Sequence, residues 1–129
     1  RAYMITDAIY QLTKDQTYVQ FEMDAGRMTW EEAQVHPQRN VLLQCIGASE
    51  QINPDYFIGQ ANPDTTFLLC SDGFRHLISP DEIYEKLKPE ILDNEDTMLQ
   101  HAISLIELNK TRKEVDNISV AVIRTCREG

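Results

Sequence analysis

The chain has 129 residues, of which 21 are acidic and 12 are basic, so its formal net charge is −9 at pH 7. This length fits one domain rather than two, and the hydrophobic (42%) and charged (26%) fractions are typical of a folded globular protein. The acidic excess argues against a nucleic-acid-binding surface, because phosphate binding requires clustered Lys and Arg side chains. No apolar run approaches the roughly 18 residues that a membrane helix needs. We therefore expect no nucleic-acid partner and no membrane insertion.

The cysteines and the start of the chain carry two further expectations. Cys45, Cys70 and Cys126 are odd in number and far apart, and they form no C-x-x-C pair. This pattern predicts neither a disulfide framework nor a zinc knuckle, and it indicates a reducing, cytoplasmic location. The chain begins at Arg1 within an apparent strand, without an initiator Met, so we expect it to be part of a longer protein.

The first half of the chain predicts short elements separated by clear turn and cap signals. Asp7 separates two β-type runs and predicts a hairpin turn. Gly26 is expected to close a short helix. Thr29 and Glu32 form a capping box, and the helix that it starts should end before Pro37. The elements predicted here are strands at 2–6 and 8–12, a short helix within 15–25, a helix at 30–35, a buried strand at 41–47 and a short strand at 56–60.

The second half contains the strongest strand signal and two helices. The run 65–70 is nearly continuous in β-branched and apolar residues, as expected for a strand covered on both faces. Ser79 and Glu82 form a second capping box. An amphipathic stripe on a longer helix is formed by Leu99, Ala102, Ile103 and Ile106. The elements predicted here are a strand at 65–70, helices at 80–88 and 96–110, and a closing strand at 118–125. Because strands and helices do not alternate regularly, an α+β fold is favoured over a doubly wound parallel sheet.

Two acidic residues lie where predicted strands meet turns. Asp72 follows the strand 65–70, and Gly73 after it permits a sharp turn. Asp116, followed by Asn117, comes just before the closing strand. If these strands are neighbours, both carboxylates lie at one rim of the sheet and offer the oxygen ligands that Mg²⁺ and Mn²⁺ prefer. The alternative is that each is simply a turn residue, which is the commonest role of Asp beside Gly or Asn.

Cys70 and Arg75 suggest a rival chemistry, that of a phosphatase with a cysteine nucleophile. Such a loop requires the spacing C-x5-R, whereas the spacing here is C-x4-R. Cys70 also ends a buried apolar strand, and burial raises the pKa of a thiol and makes it unreactive. The sequence therefore does not favour this chemistry.

The stretch His-Pro-Gln-Arg-Asn at 36–40 has two interpretations. It can be a polar connector between a capped helix and the next predicted strand. It can also be a loop beside a site, where Arg39 would meet an anionic substrate. Composition does not choose between the two.

Several short motifs, taken together and in order, resemble those of the type-2C, metal-dependent serine/threonine protein phosphatases of bacterial type. The chain is similar to the C-terminal half of their catalytic domain. Gln16 departs from the pattern, because the family usually has His there. The matching segments are R-A-Y at 1–3 (family G-D-S-R-x-Y), Q-L-T-K-D at 11–15 (Q-L-T-x-D-H), 26–42 (G-x-I-T-x-E-E-A-x-x-H-P-x-R-N-x-L), L-L-C-S-D-G-F at 68–74 (L-L-C-S-D-G-L) and D-N-I-S-V at 116–120 (D-N-I/V-T-V).

The resemblance implies a fold and a metal centre. The fold would be a four-layer α-β-β-α sandwich of two antiparallel sheets flanked by helices, with residues 1–129 as a single partial domain. The centre would hold two or more Mg²⁺ or Mn²⁺ ions and activate a water that attacks the phosphorus directly. Asp72 and Asp116 would be metal ligands, supported through the backbone by Gly73 and Asn117.

The resemblance also implies partners and a mobile segment. His36, Arg39 and Asn40 would belong to a flap that controls substrate access. The partners would be phosphorylated protein substrates and a cognate serine/threonine kinase in a signalling pathway. An exposed sheet would also favour self-association.

The family motif D-G-H-G, whose Asp bridges both metals, does not occur in this sequence. Two carboxylates alone give a site with little charge for Mg²⁺, which dehydrates reluctantly. We therefore expect the isolated chain to bind Mn²⁺ weakly and to hydrolyse no phosphoesters. The alternative function is a non-catalytic, phosphatase-like binding or regulatory domain.

Overall fold

A computed structural model of the chain describes residues 1–127. The backbone divides into two units, which are described separately: Arg1–Thr13 together with the chain from Phe57 onward, and Lys14–Tyr56. Within the described residues the elements are, in chain order, β1 (Ala2–Ile5), β2 (Ile9–Gln11), α1 (Tyr18–Asp24), α2 (Trp30–Val35), β3 (Thr65–Cys70), α3 (Asp72–Arg75), α4 (Pro80–Leu87), a short 3-10 helix (Pro89–Ile91), α5 (Glu95–Thr111) and β4 (Val120–Thr125).

The first unit is built on a four-stranded sheet with the order β2-β1-β3-β4, in which every neighbouring pair is antiparallel. The predicted hairpin forms: β1 and β2 pair through Ile5 and Ile9 on either side of the turn at Asp7. In the β3–β4 pair, Cys70 lies opposite Val120. The end of β3 and the beginning of β4 therefore meet at one edge of the sheet. This sheet with its helices confirms the predicted α+β class.

The core of this unit lies between one face of the sheet and the helices α3, α4 and α5. Alternate strand residues point to opposite faces of a sheet, and Leu68 of β3 is fully buried whereas its neighbour Leu69 is 48% exposed. The prediction that both faces of 65–70 are covered is therefore wrong at Leu69, because the helices pack on the face that Leu68 lines. The buried core residues are Tyr3, Ile5, Leu68, Phe74, Ile78, Ile83, Leu87 and Leu105.

The helix α5 begins and ends within one residue of the prediction, but its buried face only partly coincides with the predicted stripe. Its buried residues are Ala102, Leu105 and Asn109, whereas Leu99 is 60% exposed and Ile103 is 46% exposed. The buried positions follow the spacing i, i+3, i+7 that one helix face requires. Of the four predicted positions, Ala102 is buried and Ile106 packs against the core, so the hydrophobic pattern located part of the buried face and missed its polar member, Asn109.

The start of α4 carries a capping box, and an ion pair joins it to Arg112, the residue after the end of α5. The Ser79 hydroxyl accepts from the Glu82 amide at 3.1 Å, and the Glu82 carboxylate accepts from the Ser79 amide at 2.8 Å. The guanidinium of Arg112 donates to both oxygens of the same carboxylate. These bonds, chiefly the one from Arg112 and then the one from the Ser79 amide, lower the pKa of Glu82 to about 2.

The lowered pKa of Glu82 predicts that the free energy of unfolding decreases at acid pH. A carboxyl whose pKa is lower in the folded state stabilises that state above its unfolded pKa, near 4.5, and this contribution disappears as the pH falls from there through about 2. We expect Glu82→Gln to flatten the dependence of the unfolding free energy on pH in this window. Urea denaturation at a series of pH values measures it. Glu50→Gln, at an exposed loop position, is the control, and an equal flattening in both variants would contradict the assignment to Glu82.

The second unit contains the two short helices of the first half, both close to prediction. Thr17 caps α1 by accepting from the Gln20 amide at 3.2 Å, and Gly26 follows the helix with a φ of +72°. The capping box of Thr29 and Glu32 is present, and α2 has the predicted bounds of 30–35. Local hydrogen bonds of this kind depend only on nearby residues, which explains why the sequence located these helices well.

The two predicted strands at 41–47 and 56–60 do not form. Residues 41–47 contribute an isolated bridge between Leu42 and Thr17, and Ile46 is 92% exposed. Ile58 is 99% exposed. Both segments have the apolar composition of strands, but a strand also needs a hydrogen-bonded neighbour, and neither segment joins the sheet.

None of the helices in residues 1–127 combines the length and the apolar character needed to cross a membrane.

Candidate metal centre

The edge where β3 ends and β4 begins brings the two predicted acidic motifs together. The Ser71 amide donates to the Ser119 carbonyl at 2.9 Å, which continues the strand pairing past the end of β3. The Ser71 hydroxyl accepts from the Ser119 amide at 2.9 Å and donates to the Asn117 carbonyl at 3.2 Å. Ser71 therefore joins the turn that contains Asp72 to the turn that contains Asp116.

Gly73 is the closest point of contact between these two turns. It is buried, and a Cβ atom at this position would overlap with the carbonyl oxygen of Asn117 and lie 3.2 Å from the Cβ of Asp116. Only glycine allows the backbone to approach another segment so closely. The predicted supporting residues Gly73 and Asn117 are thus in direct contact.

Asp72 begins α3, a four-residue helix where the sequence predicts only a turn. The guanidinium of Arg75 donates to the Oδ1 of Asp72 at 2.5 Å, because residues three apart lie on the same face of a helix. The Arg75 side chain is only 18% exposed, whereas that of Asp72 is 57% exposed. The exposed carboxylate of Asp72 is therefore already paired with the positively charged guanidinium of Arg75.

Asp116 is exposed and is held by its own backbone turn. Its Oδ1 accepts from the Asn117 amide at 2.8 Å, and its own amide donates to the Oε1 of Glu114 at 2.9 Å. Glu114 has a side chain that is only 6% exposed. The buried carboxylate shapes the turn, and the exposed carboxylate of Asp116 faces solvent.

The donor set of this edge suits a hard divalent cation. Asp72 and Asp116 offer carboxylate oxygens, which are the ligands that Mg²⁺ and Mn²⁺ prefer. Across the part of the chain that the structure describes, no group of three or more His, Cys, Asp or Glu residues is arranged to hold a metal ion. The pair fits such an ion in chemistry and charge, with the remaining ligands to come from water or from further groups.

The rival cysteine chemistry finds no support at this edge. Cys70 is half-buried at the end of β3, and this burial raises the pKa of its thiol. A raised pKa lowers the fraction of nucleophilic thiolate at neutral pH. Arg75, the other residue of that pattern, is paired with Asp72 instead.

The three residues predicted to form a flap belong to the second unit. His36 ends α2, and its Nδ1 accepts from the Gln38 amide at 3.1 Å. Arg39 donates from its guanidinium to the His36 carbonyl at 3.3 Å. Arg39 and Asn40 are exposed. Their part in substrate access stays a prediction.

Several contacts around the acidic pair were not predicted from the sequence. Arg75 was considered only for the cysteine chemistry, and its pairing with Asp72 would have been found if α3 had been predicted, because their spacing is that of a helical ion pair. Ser71 lies within the quoted motif, but its bonds depend on the partner strand. Asn109 and Glu114 had no signal, because their roles arise from side chains that fold back onto other turns.

Comparison with curated proteins finds serine/threonine phosphatases over nearly the whole chain. The chain is 36% identical over 124 residues to the serine/threonine protein phosphatase PstP of Mycobacterium tuberculosis, which covers 95% of this chain and 23% of that protein. It is 33% identical over 121 residues to a putative protein phosphatase 2C-type of Streptococcus pyogenes, which covers 93% of this chain and 47% of that protein. The chain thus spans about a quarter to about half of the length of the curated relatives it matches.

Solved structures give the same result at the level of the fold. The crystal structure of PstP from Mycobacterium tuberculosis matches with a TM-score of 0.84 and 33% identity over 98% of this chain and 52% of that chain. The catalytic domain of PstP in complex with two manganese ions matches with a TM-score of 0.78 and 30% identity over 98% of this chain and 50% of that chain. No family model matches the sequence. The homologues of the chain over nearly its whole length are thus serine/threonine protein phosphatases of the 2C type, and the chain corresponds to part of their length.

Proposed function

We propose that this chain supplies Asp72 and Asp116 to the divalent-metal centre of a protein phosphatase that hydrolyses phosphoserine and phosphothreonine. The observation that carries the proposal is the contact of Gly73 with Asn117, which joins the two acidic turns at one edge of the sheet. The relative PstP is a serine/threonine phosphatase, and one structure of its catalytic domain contains two manganese ions.

In this proposal the residues of the chain bind and orient, and they perform no covalent chemistry. Mg²⁺ or Mn²⁺, two or more ions in the complete domain, would supply a Lewis acid and an activated water for direct attack on phosphorus. Asp72 and Asp116 would bind the metal and neutralise its charge. Gly73, Asn117 and Ser71 would fix the separation of the two acids through the backbone.

The pairing of Arg75 with Asp72 makes metal binding a competition. A metal ion at the Oδ1 of Asp72 would either share that oxygen with the guanidinium of Arg75 or displace it, and in both cases it meets the positive charge of Arg75. An ion pair with an exposed carboxylate is worth about 1 kcal/mol, so Arg75 weakens binding without preventing it. This agrees with the weak Mn²⁺ binding expected for a site with two carboxylates.

The remaining expectations follow from the same proposal. The substrates would be phosphorylated proteins made by a cognate serine/threonine kinase, and His36, Arg39 and Asn40 would form a flap at the substrate cleft. The free state of the described cysteines supports a cytoplasmic location. Half-exposed Leu69 and Ile123 on the open face of the sheet support self-association through that face.

The proposal is tested by metal binding and by catalysis. For the 129-residue chain, the expected result is weak Mn²⁺ binding, at least tenfold weaker in Asp72→Asn and Asp116→Asn, because the charge of the ligands sets the affinity. Titration with Mn²⁺ followed by NMR line broadening measures this, with Asp93→Asn, at an exposed loop position, as the control. We expect no turnover of p-nitrophenyl phosphate by the chain alone.

The natural gene product that contains this chain tests the activity. We expect it to release phosphate from a phosphothreonine peptide with Mn²⁺, and either acid-to-amide change to lower kcat/KM about a thousandfold, which corresponds to several kcal/mol of lost metal stabilisation. Metal binding without turnover by that product would instead favour the non-catalytic domain. Equal Mn²⁺ binding by the parent and both acid variants would end the proposal.

A further inference from the structure

We propose that Glu114 is a positioning residue for the acidic pair, linked through Asn109 to the turn that contains Asp72. This inference rests on the proposed metal centre and adds the device that would hold its two acids at a fixed separation. Glu114 binds no metal in this proposal. It acts through the backbone of Asp116.

The side chain of Glu114 is bonded to the backbone that leads into Asp116. Its Oε1 accepts from the amides of Val115 and Asp116, both at 2.9 Å. Its Oε2 lies 3.7 Å from the Nδ1 of His76, and the side chain is only 6% exposed. Hydrogen bonds from amides to a carboxylate are stronger than those between neutral groups, so this carboxylate holds the turn from inside the fold.

The backbone before Glu114 closes α5 with a left-handed turn. Lys113 has a φ of +67°, and the amides of Lys113 and Glu114 donate to the carbonyls of Lys110 and Asn109, the two bonds that commonly end a helix. Lys113 follows the end of α5 and directs the chain back toward β4. The bonds of Glu114 to the next two amides fix the chain directly after this turn.

Asn109 connects Glu114 to the other acidic turn. Its side chain is fully buried, and its Nδ2 donates to the carbonyl of Phe74 at 2.7 Å and to that of Leu105 at 3.0 Å. Its own carbonyl accepts from the Glu114 amide at 3.0 Å. Asn109 therefore bonds through its side chain to Phe74, two residues after Asp72, and through its backbone to Glu114, two residues before Asp116.

The side-chain amide of Asn109 also contributes unfavourably to the free energy of folding. Its Oδ1 is buried without a hydrogen-bond partner, and such an atom opposes folding. A buried polar group of this kind calls for a reason beyond packing. Joining the two turns that carry the acids supplies that reason.

Fixed separation matters because a cation binds tightly only when its ligands are held in place beforehand. Groups that orient metal ligands without touching the metal typically change the affinity 10–100-fold when they are removed. Without the carboxylate of Glu114, the amides of Val115 and Asp116 lose their acceptor and the Asp116 turn moves more freely. The two acids then sample a range of separations.

The test is Mn²⁺ titration of the isotope-labelled 129-residue chain, read by the broadening of the Gly73 and Asn117 amide signals. In the parent chain we expect both signals to broaden with one midpoint. Glu114→Ala should raise that midpoint about tenfold and speed hydrogen exchange at the Val115 and Asp116 amides. Glu114→Gln keeps an oxygen acceptor for both amides and should stay within about twofold of the parent.

Two further variants separate positioning from general loss of stability. Asn94 caps the opposite end of α5 through the Thr97 amide, so Asn94→Ala weakens the helix and should leave the midpoint unchanged. If Glu114→Ala does not fold, Glu114→Met replaces it. The thioether side chain keeps much of the volume of Glu114 but offers the two amides no oxygen acceptor, so the same tenfold rise is expected.

The outcomes distinguish this inference from the function on which it rests. A parent chain in which Mn²⁺ leaves the Gly73 and Asn117 signals unchanged would refute the metal centre itself. Normal binding by the parent together with an unchanged midpoint in Glu114→Ala would refute the positioning role alone. A rise in Glu114→Gln as large as that in Glu114→Ala would also refute it, because the charge rather than the hydrogen bonds would then be responsible.

Discussion

Replacing Phe74 by alanine is expected to lower the free energy of unfolding by about 4 kcal/mol, the range typical of removing a buried aromatic ring. Phe74 is fully buried in the core, together with Leu68 and Leu105, and it lies two residues after Asp72. The cavity left by the ring removes packing beneath α3, and the carbonyl of Phe74 is the group that Asn109 holds. We therefore expect the variant to lose Mn²⁺ affinity together with stability.

Urea denaturation followed by circular dichroism measures the change, and two other variants define its cause. Phe74→Leu retains much of the volume and should cost about 1 kcal/mol. Phe57, a phenylalanine that is 53% exposed, should tolerate alanine with a change of about 0.5 kcal/mol or less. Equal losses at Phe74 and Phe57 would contradict the burial on which the prediction depends.

The parts of the fold that the sequence predicted well are those set by local chemistry. The capping boxes at Thr29 and Ser79 define their helices because both partners lie three residues apart and need no distant contact. The strand 65–70 was predicted with its observed bounds because its residues are β-branched and apolar throughout. The segments 41–47 and 56–60 have a similar composition, yet whether a segment becomes a strand also depends on a neighbour that composition does not reveal.

For the candidate site, the sequence predicted where the two acidic turns lie in the fold. The positions of Asp72 and Asp116 relative to the strands indicated that their turns meet at one edge, as the contact of Gly73 with Asn117 shows, and their role as metal ligands stays a prediction. The contacts that arrange them were not predictable from spacing. Asn109 was missed because a hydrophobic stripe excludes polar residues by definition, and Glu114 because its carboxylate bonds to the amides of its own turn.

Replacing Gly73 by alanine is the most direct test of the contact between the acidic turns. The added Cβ would overlap with the backbone carbonyl of Asn117, and a backbone group cannot move aside as the end of a flexible side chain can. We expect a loss of about 3 kcal/mol in unfolding free energy, at the upper end of overpacking costs. The strand pairing through Ser71 should weaken, which hydrogen exchange of the Ser119 amide would report.

Gly59→Ala is the matched control, because no atom lies within 4 Å of the Cβ that it would add. It should stay within about 1 kcal/mol of the parent. In Gly73→Ala the two turns must separate to admit the methyl group. If Asp72 and Asp116 hold one cation, as we propose, Mn²⁺ should then broaden the signals near one acid without the other. If Gly73→Ala instead kept both the stability and the Mn²⁺ midpoint of Gly59→Ala, the two turns would not be in contact, and the acids would have no shared ion to bind.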